Sequence, residues 1–132
     1  MARWKGGVIY TSFNYRGNVT KEKLVRNIIF ICSRNQWRSP TGESVWRNHT
    51  DLNVRSAGTS PKAKRTVNHK DIIWADVIFV MEEKHKNRLK AQFGKLLEYK
   101  DIQVLDIPDE YKYMDDELVK IMQHSVSDYL KL

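Results

Sequence analysis

The sequence contains few of the residues and segments that would tie a protein to an oxidising compartment or a membrane. It has a single cysteine, Cys32, among 132 residues. One thiol cannot form an internal disulfide or a multi-thiol metal site, and it favours a reducing cytoplasm. No apolar run approaches the length of a membrane span, and the first residues lack the apolar core of a signal peptide. We therefore expect a cytoplasmic protein without a membrane partner.

Patterns for metal or nucleic-acid binding are also missing. The four histidines have no spacing typical of a metal site, so none is expected. The net charge of +7 favours anionic partners. The basic residues are nevertheless scattered and no DNA- or RNA-binding motif is visible, so the predicted anionic partner is not nucleic acid. A hydrophobic content of 41% is sufficient for the core of one domain.

One stretch combines a buried strand, a polar loop and the start of a helix. Residues 28–31 are β-branched or aromatic without alternation, as in a parallel strand covered on both faces. Ser39 suits the N-cap of a helix and Pro40 its first helical position. The loop between strand and helix starts with Cys32 and ends with Arg38. A loop wrapped over a helix N-terminus directs backbone N–H groups into one concavity, which predicts an anion site.

The residue types in this loop indicate a particular chemistry. The loop amides and the helix dipole would stabilise a thiolate on Cys32. Arg38 offers a planar fork of donors that matches two phosphate oxygens. The hydroxyl of Ser39 can donate to the sulfur. Together these features predict a cysteine nucleophile facing a phosphate, with phosphate or sulfate as the ion that the loop binds.

The rest of the chain alternates strands with helices. Strands are predicted at 28–31, 52–55, 77–81 and 102–105, and helices at 39–48, 69–75, 82–97 and from about 115 onwards. This pattern predicts an α/β fold with a four-stranded parallel sheet and helices on both faces. Cys32, Ser56, Glu82 and Asp109 each follow a predicted strand, so the fold should gather them at one sheet edge.

The first part of the chain has the weakest pattern. Residues 8–13 could form a short strand, residues 17–18 look like a turn, and residues 21–23 are a charged lead-in to the main strand. We expect residues 1–26 to be a peripheral N-terminal extension and residues 27–132 to form the phosphate-binding domain.

At this point the residues resemble a known family. Cys32–Pro40 matches the Cys-x5-Arg-Ser-Pro loop of the low-molecular-weight protein tyrosine phosphatases. The resemblance continues through Ser56–Thr59, Trp74–Glu82 and Pro108–Tyr111, over roughly residues 27–130. The sequence is most similar to the compact branch of predicted tyrosine phosphatases with a Leu-Asp-Ile-Pro-Asp-x-Tyr loop. The resemblance implies the fold of that family.

The resemblance also implies a two-step reaction on phosphotyrosine proteins or related aryl phosphates. Cys32 would attack phosphorus and form a phosphocysteine, and Asp109 would protonate the leaving oxygen and then activate water. Arg38 would stabilise the transition state together with the loop amides. The phosphate-binding residues are Ser33, Arg34, Asn35, Gln36, Trp37 and Arg38. No metal or other cofactor is implied, because backbone dipoles and Arg38 supply the positive field.

Four further roles are carried over from the family. Asn35 matches a residue that braces the loop through hydrogen bonds, and Ser56 matches one of its partners. Ser39 matches the hydroxyl that steadies the thiolate, and Tyr111 matches an aromatic wall beside the substrate ring. Asp106 competes with Asp109 for the role of the acid, since it also lies near a strand end.

Three positions depart from the family pattern. Arg34 replaces a glycine, so the backbone there must be unstrained or tolerate a left-handed residue. Trp37 replaces the second loop cysteine, which removes a protective disulfide partner for Cys32. The segment 59–74, which normally supplies part of the cleft wall and a brace for the loop, is shorter.

Two other functions stay open. An arsenate reductase uses the same fold and loop, but its thioredoxin-coupled type needs further cysteines in the same chain. A non-catalytic phosphate- or phosphotyrosine-binding module could keep the loop, although an intact Cys32 and Asp109 oppose this interpretation.

Overall fold

The structure, a computed structural model, describes residues 2–4 and 6–132. The strands are β1 (Ala2–Trp4), β2 (Gly7–Phe13), β3 (Val19–Cys32), β4 (Leu52–Gly58), β5 (Val77–Val80) and β6 (Asp101–Val104). The helices are α1 (Arg38–Trp46), α2 (His69–Trp74), α3 (Glu83–Phe93) and α4 (Asp116–Leu130), and a 3-10 turn spans Gly94–Leu97. Among the described residues no helix is both long and apolar enough to cross a membrane.

Four of the strands form a parallel sheet in the order β4-β3-β5-β6. Strand β3 lies inside this sheet, since it pairs with β4 through residues 26–32 and with β5 through residues 28–31. All four residues from Ile28 to Ile31 are completely buried, as their unbroken apolar run predicts. The predicted four-stranded parallel sheet is confirmed.

Helices cover both faces of the sheet, as predicted. Ile28 and Phe30 join an apolar cluster that includes residues of α1 and α4, whereas Ile29 and Ile31 join one that includes residues of α2 and α3. Helix α1 comes very close to β3, because a Cβ on Gly42 would lie 2.7 Å from the Phe30 ring. These contacts fix the start of α1 against the end of β3, where the cysteine lies.

The N-terminal segment forms an antiparallel extension of the same sheet. Strand β2 pairs with β3 through residues 19–25, and β1 pairs with β2. The predicted strand at residues 8–13 lies within β2, and Asn14 closes the turn by accepting hydrogen bonds from the amides of Arg16 and Asn18. The expected domain boundary at 26/27 falls inside one continuous strand of 14 residues. The charged residues 21–23 are part of that strand.

The predicted start of helix α1 is wrong in one respect. The helix begins at Arg38 with Trp37 as its N-cap, and no side chain caps it. Ser39 therefore lies inside the first turn, where its hydroxyl contacts Cys32 and Ala57. The side chain that the sequence suggests for capping is used in the site.

Candidate active site

The loop that follows β3 forms the floor of a small cleft. Cys32 ends β3 and is 3% exposed. The cleft has a volume of about 180 Å³ and lies at the carboxyl edge of the parallel sheet, where such folds place their sites. Its lining residues are Cys32, Ser33, Arg34, Gln36, Trp37, Arg38 and Asp109. The structure thus brings together the three residues to which the sequence assigns the chemistry.

The carbonyl groups at the start of the loop accept hydrogen bonds from the segment after β4, which leaves the loop amides exposed. The backbone N–H groups of Thr59, Ser60 and Lys64 donate to the carbonyl oxygens of Cys32, Ser33 and Arg34 at 2.9, 2.9 and 3.0 Å. Within the described part of the chain, the amides of residues 33–38 donate to no protein acceptor. Unpaired amides around one concavity are available to an anion. The short segment after β4 therefore still braces the loop.

Gly58 permits this close approach at the end of β4. A Cβ at this position would lie 2.5 Å from the carbonyl oxygen of Ser33, 2.6 Å from Cβ of Ala63 and 3.0 Å from the amide nitrogen of Asn35. Two of these neighbours are backbone atoms of the loop that follows β3. A side chain at Gly58 would consequently displace the loop itself.

Ser39 connects the cysteine to the rest of the loop. Its Oγ lies 3.0 Å from Cys32 Sγ and accepts a hydrogen bond from Asn35 Nδ2 at 2.9 Å. The hydroxyl proton of Ser39 can go to Cys32 Sγ or to the carbonyl oxygen of Ala57, which is 3.3 Å away. An ionised sulfur would attract that proton, because hydrogen bonds to charged acceptors are the stronger ones.

Asn35 is the centre of a hydrogen-bonded chain under the loop. Its Nδ2 also donates to Ser56 Oγ at 3.0 Å, and Ser56 Oγ donates to Glu43 Oε1 at 2.6 Å. Asn35 has a φ of 52°, a left-handed conformation that asparagine tolerates better than most residues. Arg34 has no positive φ, so the replacement of the family glycine leaves its backbone unstrained. No motif in the sequence indicates this contact of Glu43.

Arg38 is buried and held by two acceptors. Its Nη1 donates to Glu82 Oε1 at 2.5 Å and to the carbonyl oxygen of Ile107 at 2.8 Å, while its Nε lies 3.7 Å from Asp109 Oδ1. Burial acts to raise the pKa of Glu82, but the hydrogen bond and charge of Arg38, with the charges of Lys84 and His85, lower it below its usual value. Glu82 is thus an ionised partner of Arg38. In the sequence, Glu82 follows the predicted strand 77–81 and ends the stretch 74–82 that carries the family resemblance.

The two candidate acids occupy different places. Asp109 lines the cleft and its side chain is 61% exposed, so its carboxyl group is accessible to a phosphate ester bound there. Asp106 is exposed in a left-handed conformation and, of the described residues, is not one that lines the cleft. The geometry therefore favours Asp109 over Asp106.

The aromatic wall that the resemblance implies for Tyr111 stays a prediction. Tyr111 does not line the cleft in the described structure but is half-buried against the apolar cluster beneath it. Desolvation and the charges of Glu117, Glu110 and Asp115 raise the pKa of Tyr111. Trp37, which is 37% exposed, lines the cleft instead. The aromatic surface next to the cysteine belongs to the loop itself.

His85 contacts the loop residue Ser33, and the sequence did not indicate this contact. It is completely buried, with Nε2 2.9 Å from Ser33 Oγ and Nδ1 accepting a hydrogen bond from the Glu82 amide at 3.0 Å. Burial and the charge of Arg38 lower the pKa of His85 to about 4.

In residues 2–4 and 6–132 no group of three or more histidine, cysteine, aspartate or glutamate side chains is arranged to hold a metal ion.

Comparison of the sequence with known proteins gives one informative relative. No family model matches the chain. The protein-arginine-phosphatase of Bacillus subtilis is 29% identical over 96 aligned positions, and the match covers 52% of this chain. The match spans 64% of the length of that relative, somewhat less than two thirds.

Solved structures with the same fold are more numerous. The low-molecular-weight protein tyrosine phosphatase of Streptococcus pyogenes superposes with a TM-score of 0.68 at 19% identity, covering 81% of this chain and 92% of that one. The arginine phosphatase YwlE, as a cysteine-to-serine mutant with a phosphorylated active-site serine, gives a TM-score of 0.60 at 22% identity, covering 80% and 95%. The resemblance read from the sequence is thereby confirmed, and the chain has the fold of the low-molecular-weight protein tyrosine phosphatases.

Proposed function

We propose that this chain is a cysteine-dependent phosphatase that removes phosphoryl groups from protein side chains through a phosphocysteine intermediate. One observation carries the proposal: Cys32, Arg38 and Asp109 line a single cleft over a loop whose amides have no protein acceptor. The named relatives are phosphatases, and one of them carries a phosphoryl group on the residue that replaces its cysteine. The chemistry follows from this arrangement.

In the first step, the Cys32 thiolate attacks phosphorus while the bond to the leaving oxygen breaks. Asp109 gives its proton to that oxygen, and Ser39 holds the thiolate by a hydrogen bond. The loop amides and the free donors of Arg38 bind the remaining phosphoryl oxygens as their charge rises. The products are the dephosphorylated side chain and a phosphocysteine.

In the second step, the Asp109 carboxylate takes a proton from water. The hydroxyl oxygen forms a bond to phosphorus and the S–P bond breaks, which returns the thiolate and releases phosphate. Asp109 is well placed for both steps because its side chain is exposed at the cleft yet lies 3.7 Å from Arg38. No electrons are exchanged, so no redox partner is needed.

Phosphotyrosine is the substrate that the lining of the cleft supports. Trp37 offers an exposed ring against which a phenyl ring can pack. The exposed guanidinium of Arg34 at the same cleft would repel the guanidinium of phosphoarginine. The arginine phosphatase among the relatives makes phosphoarginine the substrate to test against it.

The two alternative functions have less support. Reduction of arsenate through the chain's own thiols would need a second cysteine, and the sequence has one. A protein that only binds phosphate would not need a general acid, and the exposed carboxyl group of Asp109 suits that role. A cytoplasmic location, expected from the single thiol, is part of the same proposal.

The test compares phosphotyrosine and phosphoarginine in peptides of the same sequence. We expect hydrolysis of phosphotyrosine, none by Cys32→Ser, and a strong loss in Asp109→Asn that is largest for aryl phosphates with poor leaving groups. Asp106→Asn is the matched control and should retain activity. Rapid quenching should trap a phosphocysteine. Activity in Cys32→Ser would overturn the proposal, and preference for phosphoarginine would overturn its substrate.

A further inference from the structure

Both ring nitrogens of His85 have defined partners, and these fix its tautomer. A backbone N–H can only donate, so Nδ1 accepts from the Glu82 amide and carries no proton. The single proton of the neutral ring therefore lies on Nε2, which is 2.9 Å from Ser33 Oγ. His85 Nε2–H donates to Ser33, and the oxygen of Ser33 is the acceptor.

This contact decides what Ser33 can offer to a ligand. One lone pair of its oxygen is used by His85, so its own hydroxyl proton remains to be donated. In residues 2–4 and 6–132 no acceptor takes that proton, and Ser33 lines the cleft with Cys32 and Arg38. A neutral donor at an anion site would strengthen binding without adding charge.

We propose that the Ser33 hydroxyl donates a hydrogen bond to a phosphoryl oxygen in the cleft and that His85 is the positioning residue that fixes this direction. The proposal rests on the proposed function and adds a side-chain donor to the loop amides. Without the His85 donor, the hydroxyl could rotate and turn a lone pair toward the anion. Ser33 would then oppose binding instead of supporting it.

Two substitutions separate the two contacts of His85. Asn can place its carbonyl oxygen near Nδ1, so His85→Asn keeps the acceptor for the Glu82 amide and loses the donor to Ser33. Gln can place its amide nitrogen near Nε2, so His85→Gln keeps the donor and loses the acceptor. His124, exposed on α4, provides the matched control as His124→Asn.

The experiment measures the dissociation constant of inorganic phosphate by calorimetry, the kinetics of aryl phosphate hydrolysis and the thermal midpoint. We expect Ser33→Ala and His85→Asn to weaken phosphate binding and lower kcat/KM by about tenfold, the usual effect of one hydrogen bond to a charged group. Ser33→Thr and His85→Gln should recover most of this loss. The double variant of Ser33→Ala and His85→Asn should lose no more than Ser33→Ala alone.

His85→Gln should be more active than His85→Asn but less stable. The reason is that His85→Gln leaves the Glu82 amide unpaired and His85→Asn does not. Activity that falls in parallel with stability would overturn the positioning role of His85, and equal phosphate binding by all variants would overturn the donor role of Ser33. Phosphate binding without turnover in the unsubstituted protein would overturn the proposed function while still testing Ser33.

Discussion

Glu82 holds Arg38 by one edge of its guanidinium. The contact joins Oε1 to Nη1 at 2.5 Å, and the carbonyl oxygen of Ile107 takes the same nitrogen at 2.8 Å. Arg38 is 3% exposed, whereas the Glu82 side chain is 32% exposed. The carboxylate thus orients the guanidinium through Nη1, while Arg38 lines the cleft.

Replacing Glu82 by Gln should lower kcat/KM for an aryl phosphate by about tenfold, because Arg38 loses a charged acceptor that orients it. Glu83→Gln is the matched control, since Glu83 is the next residue and is exposed. Steady-state kinetics at fixed pH provide the measurement. If both variants behave alike, Glu82 does not orient Arg38.

Asn35 combines a left-handed backbone with two hydrogen bonds of its side chain. Asn35→Gly should lose the bonds and keep the backbone, while Asn35→Ala should lose both. We expect Asn35→Ala to be less stable than Asn35→Gly by about 1 kcal/mol, which is the cost of a left-handed Ala. Urea unfolding of the two variants gives the difference, and an equal stability would show that the loop relaxes to another conformation.

Gly58→Ala should reduce activity more than stability alone explains. The added methyl group meets the backbone of Ser33 and Asn35, so the loop that follows β3 must move. Overpacking of this kind costs about 1–3 kcal/mol. Gly42→Ala is the contrasting variant, because its methyl group meets the Phe30 ring in the core. Comparing phosphate affinity at matched fractions of folded protein separates the two, and intact affinity in Gly58→Ala would contradict the prediction.

His85 should make the protein less stable as the pH falls. Its pKa is about 4 in the folded state against a usual 6.5, so the unfolded chain binds a proton first. The contribution of neutral His85 to the free energy of unfolding is fully present above pH 6.5 and is lost as the pH falls to about 4. The loss is on the order of 3 kcal/mol.

The lowered pKa of Glu82 also makes the protein less stable as the pH falls. This loss begins at lower pH, below the ordinary glutamate pKa of 4.5. Urea unfolding between pH 7 and 4 should therefore show a shallower decline in His85→Gln than in the unsubstituted protein. Parallel curves would mean that His85 is not held neutral by the fold.

The N-terminal hairpin should be dispensable for turnover. Strand β2 pairs with residues 19–25, and the seven further residues to Cys32 place that pairing about 23 Å away from the cysteine along the strand. A chain without residues 1–17 should hydrolyse an aryl phosphate within about twofold of the full rate and unfold at a lower temperature. Loss of activity at temperatures where circular dichroism shows a folded chain would contradict a peripheral role for this extension.

The sequence was most informative where local chemistry and burial agree. The unbroken apolar runs of β3 and β5 and the Cys-to-Arg spacing predict the sheet and the position of the loop, because both depend on short-range patterns. Residues 19–25 carry no such pattern. Their charged side chains are exposed or half-buried, and pairing with β2, a tertiary contact, makes these residues part of β3.

The residues that support the site were harder to find for a related reason. Glu82 and His85 act through contacts with Arg38 and Ser33, which are 44 and 52 residues away in the chain. Neither spacing nor composition reports such distances. Tyr111 packs partly against the apolar core and Trp37 lines the cleft, so the place of Tyr111 beside a substrate ring stays a prediction.

Strand β3 has neighbours on both sides in its last residues, with β4 against 26–32 and β5 against 28–31. Insertions or deletions should consequently be unevenly tolerated along it. A change of length in the turn after Phe13 can be absorbed by the bulge already present between Ser12 and Phe13. One residue added after Arg26 would exchange the two sides of the sheet for every following side chain and turn the sulfur of Cys32 away from its arginine.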